Sequence, residues 1–191
     1  MREKDYLNRD DDSESVVSGS EHEGHESDTD DDVMSLINHI FGGGTVSSFE
    51  GRSKESLDAM HFVALKMYNS GRYSEAHPIF HELVRLKHTE QEYMFGLAAC
   101  LHKMGHYISA ANVYLSALLL DLDADNFEIY FHMAQCLISA GKSLEQAKEY
   151  LEYVVDRAPQ DGELGKLRSV AEAQLKLFNR NNKQSSVKSS I

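Results

Sequence analysis

The 191-residue chain has no tryptophan, only two prolines and only two cysteines. It also has no apolar run approaching the roughly 20 residues needed to cross a bilayer. Two cysteines, Cys100 and Cys136, sit inside apolar stretches with no CxxC or Cys/His ligand spacing, so neither a disulfide framework nor a structural zinc site is expected. The same residues read as buried free thiols of a reducing compartment. The amino terminus is charged and lacks the apolar centre of a secretion signal, which points to a soluble, cytoplasmic protein. Basic residues are scarce as well: 19 Lys and Arg stand against 31 Asp and Glu, a formal charge of −12. A nucleic-acid binder needs the opposite balance.

The acidity is local. Residues 1–33 hold thirteen acids and three bases, so −10 of the −12 lies there. Residues 1–31 are polar, acidic and rich in Ser and Gly, and are expected to be a disordered tail, because they cannot bury enough apolar surface to offset the entropy of ordering. Three uses stay open for this tail: solubility, competition for a binding groove or a basic partner, and a modified segment. The closing stretch, 181–191, is mildly basic and reads as a second disordered tail.

Between the tails the pattern is helical. "VMSLINHIF" places Val33, Leu36, Ile37 and Ile40 on one face, and the glycine run from Gly42 stops it. Residues 32–55 therefore read as a short amphipathic helix and a glycine-rich linker, a possible dimerisation arm. Such a helix must dock, either on its own domain or on a second copy. From Ser56, taken as a cap, helices are expected over about 56–70, 74–87, 89–104, 108–122, 126–140, 144–157 and 162–178. Pro78 stands near the start of the second of these, where it costs little, and would kink the helix if it began earlier.

"GRYSEA" from Gly71 returns as "GHYISA" from Gly105, 34 residues later. Two helices and two turns at that period are the signature of a tetratricopeptide repeat. Ala64, Ala98 and Ala134 supply a small residue in each first helix, and Ala76, Ala110 and Ala147 one in each second helix. Phe80, Tyr114 and Leu151 fill the space between pairs, and Pro159 falls where the last pair should end. The third copy is degenerate: the step from Gly141 to Ala147 is one residue longer and lacks the tyrosine. The expected fold is all-α, with three such repeats over 56–160 forming a short superhelix and a capping helix over 161–180.

First helices line the concave face of such a superhelix. Their inward positions are Asp58, His61, Leu65 and Tyr68, then Glu92, Phe95, Ala99 and His102, then Glu128, Phe131, Gln135 and Ile138. Leu65, Tyr68, Phe95, Phe131 and Ile138 make an apolar track suited to an extended peptide. The alternative assignment is repeat core, which fits Tyr73, Tyr107, Phe80 and Tyr114 better, with Leu86 and Tyr93 open to either. The expected groove is His61, Leu65, Tyr68, Leu86, Tyr93, Phe95, His102, Phe131 and Ile138.

Catalysis has little to stand on. His77 and His81 have the i,i+4 spacing of a zinc pair but no third ligand or H-E-x-x-H pattern, and "GGGT" lacks the lysine of a phosphate loop. No cofactor, metal or enzyme activity is expected.

Residues from about 32 to 181 resemble the class II chaperones of bacterial type III secretion systems. The resemblance rests on the glycine run with Thr45, "YNSGRYSEAHPIF" from Tyr68, "GLAAC" from Gly96 and "HMAQCL" from His132, in order and nearly without gaps. It implies a chaperone that keeps hydrophobic translocators soluble and unassembled until export, holding an extended segment in the groove. It also implies dimerisation through the first helix and, for some members, action with a transcriptional regulator. The sequence departs from the family at His61 and Leu65, where members carry Tyr or Phe, and in its long acidic leader. The competing reading is a repeat adaptor for another peptide, such as a regulatory protein or a component of the secretion apparatus.

Overall fold

The computed structural model describes residues 26–121 and 125–188, and the described residues hold helices without strands. They are α1 (Glu26–Phe41), α2 (Val46–Phe49), α3 (Lys54–Asn69), α4 (Tyr73–Leu86), α5 (Gln91–Lys103), α6 (Tyr107–Leu119), α7 (Phe127–Ala140), α8 (Leu144–Arg157) and α9 (Gly162–Lys188). Each of α3 to α9 packs on the next, α3 touches α5, and α7 touches α9. The chain is thus three antiparallel pairs followed by a single long helix.

The six small residues of the repeat are all fully buried, as Ala64, Ala98 and Ala134 in first helices and Ala76, Ala110 and Ala147 in second helices. A methyl group at these places lets the paired backbones approach closely. Phe80, Tyr114 and Leu151 are buried behind them at 1% exposure or less. One apolar cluster spans α3 to α5 and a second spans α5 to α9. The turns inside the pairs also follow the repeat. Gly71 and Gly105 adopt φ of +77° and +83°, conformations that an L side chain resists. The amides of Arg72 and His106 reach back to the carbonyls of Met67 and Leu101 at 3.0 and 2.9 Å, closing both helix ends. In the third pair the extra residue is absorbed by Ser143, a non-glycine residue at φ +49° just ahead of α8.

Several expectations need correction. The helix over Val33–Ile40 begins at Glu26, inside the stretch read as a disordered tail. Residues 1–25 lie outside the described residues. At the other end α9 runs ten residues past Phe178 to Lys188, so 181–188 is helical where a tail was expected, and 189–191 lie outside the described residues. The glycine-rich linker contains α2, a single turn with a capping box between Thr45 and Ser48. The cap of α3 is Ser53, whose hydroxyl accepts from the Ser56 amide, so Ser56 is itself a first-turn residue. Pro78 is the sixth residue of α4 and removes one helical hydrogen bond. Both Pro78 and Ser74, whose carbonyl loses its donor, are on the exposed side, where water can replace it.

Two glycines matter for packing. A Cβ on Gly96 would lie 2.1 Å from Cε1 of the fully buried Phe80, so α4 and α5 can meet there only through a bare backbone. A Cβ on Gly165 would lie 2.1 Å from the Gln160 carbonyl oxygen, which holds the start of α9 against the preceding loop. The Arg168 guanidinium donates to the Ala158 carbonyl at 2.8 Å and fixes the same junction.

Candidate functional site

Three hollows follow one another along the side formed by α3, α5, α7 and α9. The first has a volume of about 480 Å³ and is walled by His61 and Leu65 of α3, Gln91, Phe95 and Gly96 of α5, Phe127 and Ile129 of α7, and Leu164 of α9. Glu92, Asp125 and Glu128 stand at its rim, and no Lys or Arg lines it. The second, of about 490 Å³, lies toward the amino terminus between α2, α3 and the start of α5. It shares His61 and Glu92 with the first and is mostly polar, with Arg52, Asp58 and Lys87 among its walls. The third, of about 440 Å³, lies where α9 crosses the ends of α5 and α7.

The apolar floor is held by a ladder of rings. Phe95 meets Tyr114 edge to face at 5.4 Å, and Tyr114 lies nearly parallel to His132 at 5.6 Å. His132 in turn meets Phe95 at 5.8 Å and His102 at 6.0 Å, and His102 reaches Tyr107 at 5.9 Å. The ladder joins the second and third pairs through side chains that lose little rotamer freedom on packing. Burial pushes both imidazoles below the ordinary histidine range, which favours their neutral form. For His102 the nearby His132 and Lys103 add to this, whereas the Gln135 hydrogen bond opposes it at His132. His61 packs edge-on to Tyr93 at 5.1 Å and to Phe80 at 5.9 Å.

The expected groove residues divide. His61, Leu65 and Phe95 come together in the first hollow, and His102 and Ile138 in the third. Leu65 is 40% exposed and Phe95 half-buried, so both present apolar surface. Tyr68 is half-buried, stacked edge-on against Tyr73 at 5.2 Å, and lines none of the three hollows. Leu86 and Phe131 are corrections: they are 0% and 5% exposed and belong to the core. Leu86 ends a second helix and points between pairs, and Phe131 lies on the helix that α9 closes from the far side. Tyr93 is also core at 4% exposure, with only an edge at the amino-terminal hollow.

The walls contributed by α9 were missed, since that helix reads as a cap. A signal existed: α5, α7 and α9 start at Gln91, Phe127 and Gly162, about one repeat apart. Thus α9 takes the place of a fourth first helix and extends the concave side.

Burial raises the Cys100 and Cys136 thiols to about 11 and about 12, so neither is a thiolate nucleophile near neutrality. His77 and His81 stack 6.3 Å apart, and among the described residues no three His, Cys, Asp or Glu side chains converge as a metal site requires. No helix among the described residues is long and apolar enough to cross a membrane.

The tetratricopeptide repeat family model matches residues 91–126. The low calcium response locus protein H of Yersinia pestis is 31% identical over 118 residues, 62% of this chain and 69% of that protein. A type III secretion complex from Aeromonas hydrophila is similar in structure, with a TM-score of 0.71 and 27% identity over 78% of this chain and 98% of that one. So is the Yersinia enterocolitica translocator chaperone SycD bound to a peptide of the translocator YopD, with a TM-score of 0.62 and 27% identity over 68% of this chain and 97% of that one. SycD has also been solved as an alternative dimer.

Proposed function

The chain belongs to the class II translocator chaperones of type III secretion systems, and on that footing we propose that it binds a hydrophobic translocator in the bacterial cytoplasm and keeps it unassembled until export. The observation that carries this reading is the first hollow, where Leu65 and Phe95 leave apolar surface open between three first helices. Its volume suits a few side chains of an extended segment, not a folded domain. Apolar walls such as Leu65, Phe95 and Phe127 favour aliphatic anchors, and the carboxylates at the rim disfavour acidic neighbours. The role asks for binding and release only, with no bond made or broken.

Co-expression with the translocator of the same secretion system tests it. The wild-type chain should hold the translocator in solution, and Leu65→Glu should weaken the complex at least roughly tenfold. Leu65 is already exposed, so the fold is untouched and circular dichroism should match wild type. Equal recovery of translocator with Leu65→Glu would rule the hollow out as the binding site.

A second surface supports self-association. Val33, Met34, Ile37 and Phe41 of α1 are 53, 55, 37 and 88% exposed, and Phe62 of α3 is 67% exposed. Of the expected dimer residues, Val33 and Ile37 face outward, while Leu36 and Ile40 are half-buried. His39 moors the helix through a 2.8 Å hydrogen bond to Ser48 and a ring contact with Phe49, an approach that a side chain on Gly44 would block. An apolar face of this extent is covered in solution, and a second copy is the occupant we assign. Light scattering should report a dimer that Phe41→Asp converts to monomer; a monomeric wild type sinks the assignment.

A further inference from the structure

The outer faces of the second helices are not alike. On α6 the spacing i, i+4, i+7, i+11 brings Ile108, Asn112, Leu115 and Leu119 into one stripe, and its three apolar members are 40, 42 and 61% exposed. The equivalent places on α8, counted from Ala147 as these are from Ala110, hold Glu145, Glu149, Glu152 and Asp156. Those on α4 end in His81 and Arg85. No residue from Tyr107 to Leu120 is charged, so α6 lacks the polar outer face that a solvated helix carries. None of these residues lines a hollow, which sets the stripe on the convex side, away from the groove.

Single exposed leucines are ordinary, but an apolar stripe three turns long marks an interaction face. Charge selects the occupant. On α8, Glu152 is paired with Lys148 at 3.5 Å, whereas Glu145, Glu149 and Asp156 make no ion pair among the described residues. On α4, Arg85 is already held by Glu82 at 2.7 Å and Glu50 at 3.6 Å. The stripe is therefore flanked by open negative charge on its α8 side. That field repels the acidic leader of this chain and also α1 of a second copy, whose first seven residues hold five acids. It attracts a partner with cations along one edge.

We propose that the outward stripe of α6 docks an amphipathic helix of a third protein, with apolar residues toward Ile108, Leu115 and Leu119 and Lys or Arg along the edge that faces α8. The stripe is about 16 Å long, so three to four turns of the partner cover it. Anchors at i, i+3 or i+4, and i+7 of that partner meet the three exposed side chains. The convex and concave sides are then filled independently, so this partner binds the chaperone with its groove loaded. The inference goes beyond the groove reading and does not depend on it.

A fluorescein-labelled peptide of about 18 residues, leucine and lysine in an amphipathic helical pattern, is the probe. It is titrated into the full-length chain and followed by anisotropy, with a leucine and glutamate peptide of the same pattern as control. The lysine peptide should bind with a dissociation constant of about 10 µM or tighter, and the glutamate peptide at least roughly tenfold more weakly. Leu115→Ser with Leu119→Ser should weaken the lysine peptide at least roughly tenfold, and circular dichroism should match wild type because both side chains are exposed. Glu145→Gln with Glu149→Gln should weaken it roughly fivefold at low salt. Leu65→Glu, in the first hollow, should bind it within about twofold of wild type. The purified translocator complex should also bind it within about twofold of the free chain. No binding by wild type overturns the proposal. So does undiminished binding by the serine variant, which would mean simple attraction to the acidic leader. A changed oligomeric state in the serine variant would give the stripe to a second copy, and loss of binding in the translocator complex would give it to the client. Weakening by Leu65→Glu would put the peptide in the groove. Each of these three results overturns the proposal as well.

Discussion

Tyr114→Ala should cost about 4 kcal/mol of folding stability, the largest loss expected from any single truncation in the repeats. The ring is 1% exposed and lies at the centre of the larger cluster, against Phe95 on one side and His132 on the other. Domains of this size are stable by roughly 5–15 kcal/mol, so the variant would lose roughly a quarter or more of the total. Loss of the ring also removes the edge-to-face support that aims Phe95 into the first hollow, so client binding should fall with stability. Tyr114→Phe keeps the ring and its contacts and should stay within about 1 kcal/mol of wild type. Chemical denaturation of the three proteins checks this. A loss below about 1 kcal/mol for Tyr114→Ala would mean that the ladder is not the support described above.

Gly96→Ala should lower the melting temperature by roughly 6 °C. The added methyl lands 2.1 Å from the ring of Phe80, which has no exposed side to move into. Overpacking of this kind costs about 1–3 kcal/mol or more, and the gain in helix propensity returns up to about 1 kcal/mol. A net loss of about 2 kcal/mol corresponds to the stated shift for a chain of this length. Phe80→Leu should relieve the clash. On its own that change leaves a void, but in the double variant the alanine methyl fills it. The two effects should therefore be coupled by at least about 1 kcal/mol in a double-mutant cycle. Simple additivity would show that the backbone parts at Gly96 instead, and the close approach of α4 and α5 would then be incidental. Because Gly96 also lines the first hollow, Gly96→Ala reports on the groove as well as on the fold.

Tyr114 and Phe80 hold fixed places in the repeat that were readable from one sequence, whereas Gly96 shows there only as the first residue of "GLAAC". Small residues, bulky residues and turn glycines act between neighbours in the chain, at spacings set by helical geometry and a period of 34. Ala76 and Phe80 are buried for the same local reason as Ala110 and Tyr114. The groove was legible only in part. A helical count puts Leu65, Phe95 and Phe131 all on inward positions, yet Leu65 is 40% exposed and Phe131 is 5% exposed. The count sees one helix at a time, whereas burial depends on what lies across it. Among the described residues α3 packs mainly against α4 and touches α5, whereas α7 is held between α6 and α8 and is also touched by α9.

The sequence alone determined that the chain is a stack of helical pairs with an apolar concave side and a strongly acidic leader, because period, turn chemistry and charge are written in local order. Only the tertiary structure decided which inward residues stay open, and that α9 is a wall of the groove. Those facts depend on where a helix more than one repeat away comes to rest, and no local periodicity carries that information.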